Sequence, residues 1–319
     1  MRLIKAWLGV LCCLPLQGWA NDLSLAVSNS ALSPLAPSIE QSPPVPMTPM
    51  IPPQELCLAV AGKLGSVTPR DCEVREYHAT GGLSVRGRPI VYKDYEPLPE
   101  REPLGRVLLL GGIHGDEYSS ISIVFKWMST LDEHHSGMFH WRVVPLVNPD
   151  GLLRAEPQRM NENGVDLNRN FPTPEWNTLA AHYWEHKTQR NPRRYPGKEA
   201  LSEPESRWLA EEIARFKPDV IVSVHAPYGI LDFDGPREAP KQLGQLHLSL
   251  LGTYPGSLGN YAGIQNSIPV VTIELPYAGI MPTPNQISDI WMDLVRWLAG
   301  NINEPPETSK MASREHIEH

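Results

Sequence analysis

His114 and Glu117 stand three residues apart in the run Gly111-Gly112-Ile113-His114-Gly115-Asp116-Glu117, directly after the apolar stretch Val107-Leu108-Leu109-Leu110. In a tight turn or a first helical turn, that spacing lets an imidazole nitrogen and a carboxylate converge on one cation, while the glycines let the backbone bend close to it. A second apolar stretch, Val220-Ile221-Val222-Ser223-Val224, also ends in a histidine, His225. Two histidines and one carboxylate leave a fourth position open, the arrangement of catalytic rather than structural zinc. Zinc so held lowers the pKa of a coordinated water to about 7 and polarises a carbonyl, so these residues predict hydrolysis of an acyl bond. Taken singly, each has a plainer reading: a glycine turn with a capping acid, and a structural histidine at a strand end.

Such chemistry needs a base to take a proton from water and pass it to the leaving nitrogen. Glu274 is the candidate, a lone carboxylate at the end of the apolar run Val271-Thr272-Ile273. An acid in that setting pairs with a cation, has a raised pKa, or lies at the surface. The polar segment around Gly164-Val165-Asp166-Leu167-Asn168-Arg169-Asn170-Phe171 supplies Asn168 and Arg169, whose guanidinium can fork onto a substrate carboxylate. Arg159 can face the oxygen on which negative charge develops. The alternative is an Asn-rich loop held by its own hydrogen bonds, with Asp166 paired to an arginine.

The elements that must position these residues follow from periodicity. Strands are predicted at Arg106–Leu110, 141–147, 220–224 and 270–274, and helices at 119–131, 202–216, 241–251 and 286–298. Ser202 and Glu205 have the spacing of a capping box for the second helix. Residues 148–196 read as long functional loops with one short helix near 179–186. Alternation of apolar runs with helical periodicity predicts an α/β fold.

The chain has 319 residues, 41% of them apolar, enough for one large α/β domain or two small ones. A formal net charge of -8 with both signs interspersed gives no footprint for nucleic acid or an anionic membrane. Residues 1–20 carry Arg2 and Lys5 before a mostly apolar stretch and end at Gly18-Trp19-Ala20, the pattern of a cleaved export signal. Pro15, Gln17 and Gly18 interrupt that stretch before the roughly 20 apolar residues of a membrane anchor. A Pro-rich linker over 21–54, a catalytic body over 55–303 and a polar tail over 304–319 complete the expected organisation. Removal of the signal leaves Cys57 and Cys72, for which a disulfide in an oxidising compartment is expected over two unpaired thiols.

Together His114-Gly-Asp-Glu117, Asn148-Pro-Asp-Gly151, the segment Gly164 to Phe171, His225 and Thr272-Ile-Glu274 resemble the zinc carboxypeptidase family over about residues 75 to 300. The resemblance implies a single domain with a mixed sheet of about eight strands flanked by helices. It places one zinc on His114, Glu117 and His225, Glu274 as general base, Arg159 on the scissile carbonyl, and Asn168 and Arg169 on the terminal carboxylate. The segments 225–235 and 255–263 look most like the murein peptide amidase branch. That implies cleavage of the γ-D-glutamyl-meso-diaminopimelate amide of murein peptides in the periplasm. Asp232 and Asp234, just beyond His225, are candidates for the distal amino group of diaminopimelate, and Tyr254 or Tyr261 for a tyrosine over the substrate. Other readings are a carboxypeptidase that removes C-terminal L-amino acids, an N-acyl amino-acid deacylase, and a catalytically silent wall-binding protein. The last is disfavoured by retention of all three ligands and the base.

Overall fold

Short apolar runs form the strands and longer amphipathic runs form the helices. The computed structural model describes residues 51–100 and 102–302. The expected signal, nearly all of the linker and the polar tail lie outside the described residues. In chain order come α1 (Pro53–Lys63), α2 (Pro69–Glu73), β1 (His78–Leu83), β2 (Pro89–Tyr95), β3 (Arg106–Leu110), α3 (Tyr118–His134), β4 (His140–Val144) and α4 (Pro149–Leu153). There follow α5 (Trp176–His182), α6 (Pro204–Phe216), β5 (Val220–His225), β6 (Ile230–Asp234), β7 (Gln242–Leu243), β8 (Leu246–His247), β9 (Val270–Glu274) and α7 (Pro284–Asn301).

The main sheet has the order β1-β2-β4-β3-β5-β9-β6. Its centre, β4-β3-β5-β9, is parallel, and antiparallel strands close both edges. Successive side chains of a strand point to opposite faces. Val107 and Leu109 therefore join one core with Val124 of α3 and Leu294 of α7, while Leu108 and Leu110 join the other with Leu209 and Ile213 of α6. Burial on both faces explains why the central strands read as continuous apolar runs. No helix among the described residues is long and apolar enough to cross a membrane.

The fold class is as expected, with seven strands in the main sheet rather than about eight. On the outer side of β6 the described residues make only a single parallel bridge, Leu248 to Leu231, and β7 and β8 pair separately. The helix expected at 241–251 is therefore absent. Gly244 turns the chain with φ +55°, its N–H donates to Asp293 Oδ2, and the flanking Leu243 and Leu246 are buried. β4 stops at Val144, short of the expected 147, because Pro145 has no N–H to continue the ladder.

The capping box predicted at Ser202 is not formed. Glu203 is the N-cap without a side-chain cap, and Pro204 takes the first helical position. Ser202 Oγ instead donates to Glu203 Oε1, while the buried Glu205 carboxylate accepts from the Val85 N–H and from Asn161 Nδ2. A capping box does start α7, where Thr283 and Gln286 bond reciprocally and Pro284 follows the cap. The short helix expected near 179–186 is α5, followed by a π-helical turn over Tyr183–Lys187. Cys57 on α1 and Cys72 on α2 form the disulfide.

Candidate metal centre and active-site pocket

β3, β5 and β9 run parallel side by side, so their carboxyl ends meet at one edge, the usual place for a site in such a sheet. His114 follows β3, His225 ends β5, and Glu274 ends β9 directly beside His225. The loop bearing His114 lies on α4: a Cβ on Gly115 would come within 2.2 Å of the Gly151 carbonyl carbon, so only glycine fits. Asn148 fastens that contact. Its Nδ2 donates to the carbonyls of Ile113 and Arg159, and its Oδ1 accepts the Gly151 N–H.

Within this frame His114 Nδ1 lies 2.8 Å from Glu117 Oε1, and His225 Nδ1 lies 3.1 Å from both Glu117 Oε2 and His114 Nδ1. All three side chains are buried. The opposite nitrogen of each ring is already engaged: His114 Nε2 faces Asp166 Oδ1 at 3.1 Å and His225 Nε2 faces Ser223 Oγ at 3.0 Å. A carboxylate accepts only, so Asp166 places the His114 proton on Nε2 and leaves a lone pair on Nδ1. Burial alone would raise the Glu117 carboxyl, but the two imidazoles beside it hold it well below the usual range. Two ring nitrogens and an anionic carboxylate converging in a buried place fit a divalent cation, with Asp166 orienting a ligand from behind.

These ligand atoms open on a cavity of about 400 Å³, which is also lined by Arg159, Asn168, Arg169, Asp232, Asp234 and Glu274. Glu274 is 7% exposed, its Oε2 has no hydrogen-bond partner among the described residues, and burial raises its pKa. Arg159 Nε donates to Asp166 Oδ2 at 2.9 Å, and its Nη1 reaches Glu117 Oε1 at 3.3 Å. Arg169 is 7% exposed, packs 4.4 Å over the Tyr254 ring and donates from Nη1 to the Asn168 carbonyl. Its Nε has no partner among the described residues, and burial pushes its guanidinium down to about 10 against the pull of Asp166. Asn168 is fixed by the Leu258 N–H on its Oδ1. Gly256, at φ +77°, lets the 254–258 loop pass under Arg169, where a Cβ would meet the Arg169 carbonyl oxygen at 1.9 Å.

Asp232 accepts the Leu251 N–H at 3.0 Å. Asp234 lies against Gly259 and Gly263, and burial, with Asp232 nearby, pushes its carboxyl up to about 6. Of the two candidate tyrosines, Tyr254 lines the cavity. Tyr261 does not: its ring stacks on Phe171, with centroids 5.5 Å apart. Tyr228, Arg193 and Arg194 line the cavity as well, and no spacing in the sequence points to them, apart from Tyr228 following His225 by three residues.

Residues 74–231 match the family described as zinc carboxypeptidase. The protein named murein peptide amidase A of Escherichia coli (strain K12) is 32% identical over 227 residues, covering 68% of this chain and 88% of that protein. This chain belongs to the zinc carboxypeptidase family. Its membership makes it a hydrolase, in agreement with the geometry just described. Within the family, the murein peptide amidase A of Vibrio campbellii (strain ATCC BAA-1116) is 32% identical over 202 residues, covering 61% of this chain and 77% of that one. The carboxypeptidase A of Helicoverpa armigera shares the fold at a TM-score of 0.56 and 17% identity, over 76% of this chain and 71% of that chain. Thrombin activatable fibrinolysis inhibitor does so at 0.54 and 17%, over 76% and 70%.

Proposed function

We propose that this family member is a zinc-dependent amidase that cleaves the γ-D-glutamyl-meso-diaminopimelate bond of murein peptides and works in the periplasm after export. The observation that carries the reading is the cavity's division of charge. A buried guanidinium with an unpartnered donor, Arg169, shares it with the carboxylates Asp232 and Asp234. Such a site suits a C-terminal residue bearing a carboxylate at one end and an ammonium at the other. Similarity to two proteins named murein peptide amidase A supports the same substrate. The signal-like first twenty residues and the disulfide support export.

His114, Glu117 and His225 hold the zinc. When bound, it supplies Lewis acidity, which makes water a nucleophile near neutral pH and polarises the scissile carbonyl. Glu274 takes the proton of the attacking water at its free Oε2 and gives it to the nitrogen of diaminopimelate as the C–N bond breaks. Its raised pKa suits both transfers. Arg159, held by Asp166, faces the oxygen on which charge develops. Asn168 and Arg169 hold the terminal carboxylate, while Asp234, with Asp232 beside it, holds the distal ammonium.

Replacing the base tests this assignment. Glu274→Gln should lower hydrolysis of the tripeptide L-Ala-γ-D-Glu-meso-diaminopimelate by about 10²-fold or more with zinc content unchanged. Activity equal to wild type in the zinc-loaded variant would remove Glu274 from the mechanism. The same acidic pair also suits a C-terminal lysine or arginine, so a carboxypeptidase acting on ordinary peptides is the second reading. A panel of C-terminal L-residues compared with the murein tripeptide separates the two.

A further inference from the structure

Four arginines line the cavity, and their partners distinguish them. Arg159 is engaged by Asp166 and Glu117, and Arg193 Nη1 donates to Asp116 Oδ2 at 2.7 Å. Arg169 is buried and is assigned above to the terminal carboxylate. Arg194 is half-buried and has no carboxylate partner among the described residues; its Nη2 donates to the Tyr228 hydroxyl at 3.2 Å. A cation that lines a cavity without a paired carboxylate is an open half of an ion pair.

The chain around Arg194 is firmly shaped. Asn191 Oδ1 accepts the Arg193 N–H to start the short helical turn Pro192–Arg194, and Trp184 Nε1 donates to the Asn191 carbonyl. Gln189 and Arg190 both adopt φ +55°, a backbone conformation that L-residues take at some cost. Tyr228, the partner of Arg194, stands in the turn between His225 and Ile230, both of which pair with Glu274 across the sheet. Arg194 is thus tied to the side of the cavity where the base stands. It also lies close enough to Arg169 for its charge to oppose that guanidinium's protonation, after the larger effect of burial.

We propose that Arg194, steadied by Tyr228, is a specificity-determining residue that binds a second carboxylate of the substrate, distinct from the terminal one held by Arg169. The inference rests on the murein-peptide reading. In L-Ala-γ-D-Glu-meso-diaminopimelate such a carboxylate occurs twice. One is the free α-carboxylate of the γ-linked glutamate, and the other is on the far centre of diaminopimelate. The place of Tyr228 in the turn beside Glu274 favours the glutamate, whose α-carboxylate lies on the acyl side of the bond that breaks. An arginine there would select γ-linked glutamyl amides over ordinary α-linked peptides.

The test compares wild type and Arg194→Gln on three substrates. These are the parent tripeptide, the analogue with D-isoglutamine in place of D-glutamate, and the analogue with L-lysine in place of diaminopimelate, which keeps the amine but lacks the far carboxylate. The substitution should raise KM for the parent about tenfold or more, and Arg194→Lys should recover part of the loss. Wild type should show a similar rise on the isoglutamine analogue, with no further rise from the substitution there. The same pattern on the lysine analogue instead would support Arg194 and assign it to the far carboxylate. An equal loss on all three substrates, or no loss on the parent, would overturn the proposal. If Arg194→Gln does not fold, Arg194→Lys and the wild-type comparison decide the question in its place. Wild type that cleaves none of the three overturns the murein reading and this inference with it, an outcome distinct from failure at Arg194 alone.

Discussion

Asp166 ties two parts of the site together, because one carboxylate fixes the proton of His114 and the direction of Arg159. The sequence offers it only as a partner for an arginine. Its second contact depends on how the loop folds back under the ligand turn. His225 and Glu274 were legible because each ends an apolar strand with a group that such a strand would otherwise exclude, and His114 because it stands three residues before Glu117 in the glycine turn that follows one. Arg194, Tyr228 and the position of Tyr261 were not, since loop geometry alone decides which of these side chains reach the cavity. Among single residues, the acidic end of the cavity makes its own prediction. Asp234→Asn should raise KM for the diaminopimelate tripeptide by about tenfold with kcat little changed, the effect of losing a charged hydrogen bond. An unchanged KM would mean that the ammonium binds elsewhere.

Among the elements, the central strands and the helices α3, α6 and α7 were found, whereas α1, β1, β2 and β6 were not expected and the helix expected at 241–251 is absent. β3, β5, β9 and α3 lie where the apolar pattern puts them, whereas β6, whose apolar residues are broken by Asp232 and Asp234, and the β7-β8 turn at Gly244 give no such run to read. The capping pattern at Ser202 misled because Glu205 is drawn into a buried network with Asn161 and Val85 that joins α6 to the β1-β2 turn and the Arg159 loop. Burial, with Asp150 adding to it, pushes the Glu205 carboxyl from 4.5 up to about 7 despite these hydrogen bonds. The folded chain therefore favours the protonated acid. The resulting stability is fully present below about pH 4.5 and is lost as pH rises through about 7, an effect on the order of 3 kcal/mol. Urea unfolding of wild type at pH 5 and pH 8 should show that fall, and Glu205→Gln should flatten it whatever its own stability. Equal slopes in the two proteins would place the ionised form in the fold.

Across the whole molecule, the site's precision depends on a scaffold that holds α4 under the ligand loop. α1 contributes through Lys63, whose Nζ donates to the carbonyls of Arg154 and Ala155 just after α4, and α1 is bound to α2 by Cys57–Cys72. Removing that bridge with Cys57→Ala and Cys72→Ala should lower stability by about 3 kcal/mol in the chain-entropy model while one zinc per chain is retained. Calorimetry and metal analysis check both, and unaltered stability would mean that the bridge constrains little of the unfolded chain. Everything proposed for the cavity depends on His114, Glu117 and His225 holding a zinc that drives hydrolysis of a murein peptide. Mass spectrometry of the products that the zinc-loaded chain forms from L-Ala-γ-D-Glu-meso-diaminopimelate puts this to the proof in one step. Free diaminopimelate should appear, be abolished by a chelator and be restored by zinc; no release from protein shown to hold the metal would refute the murein reading.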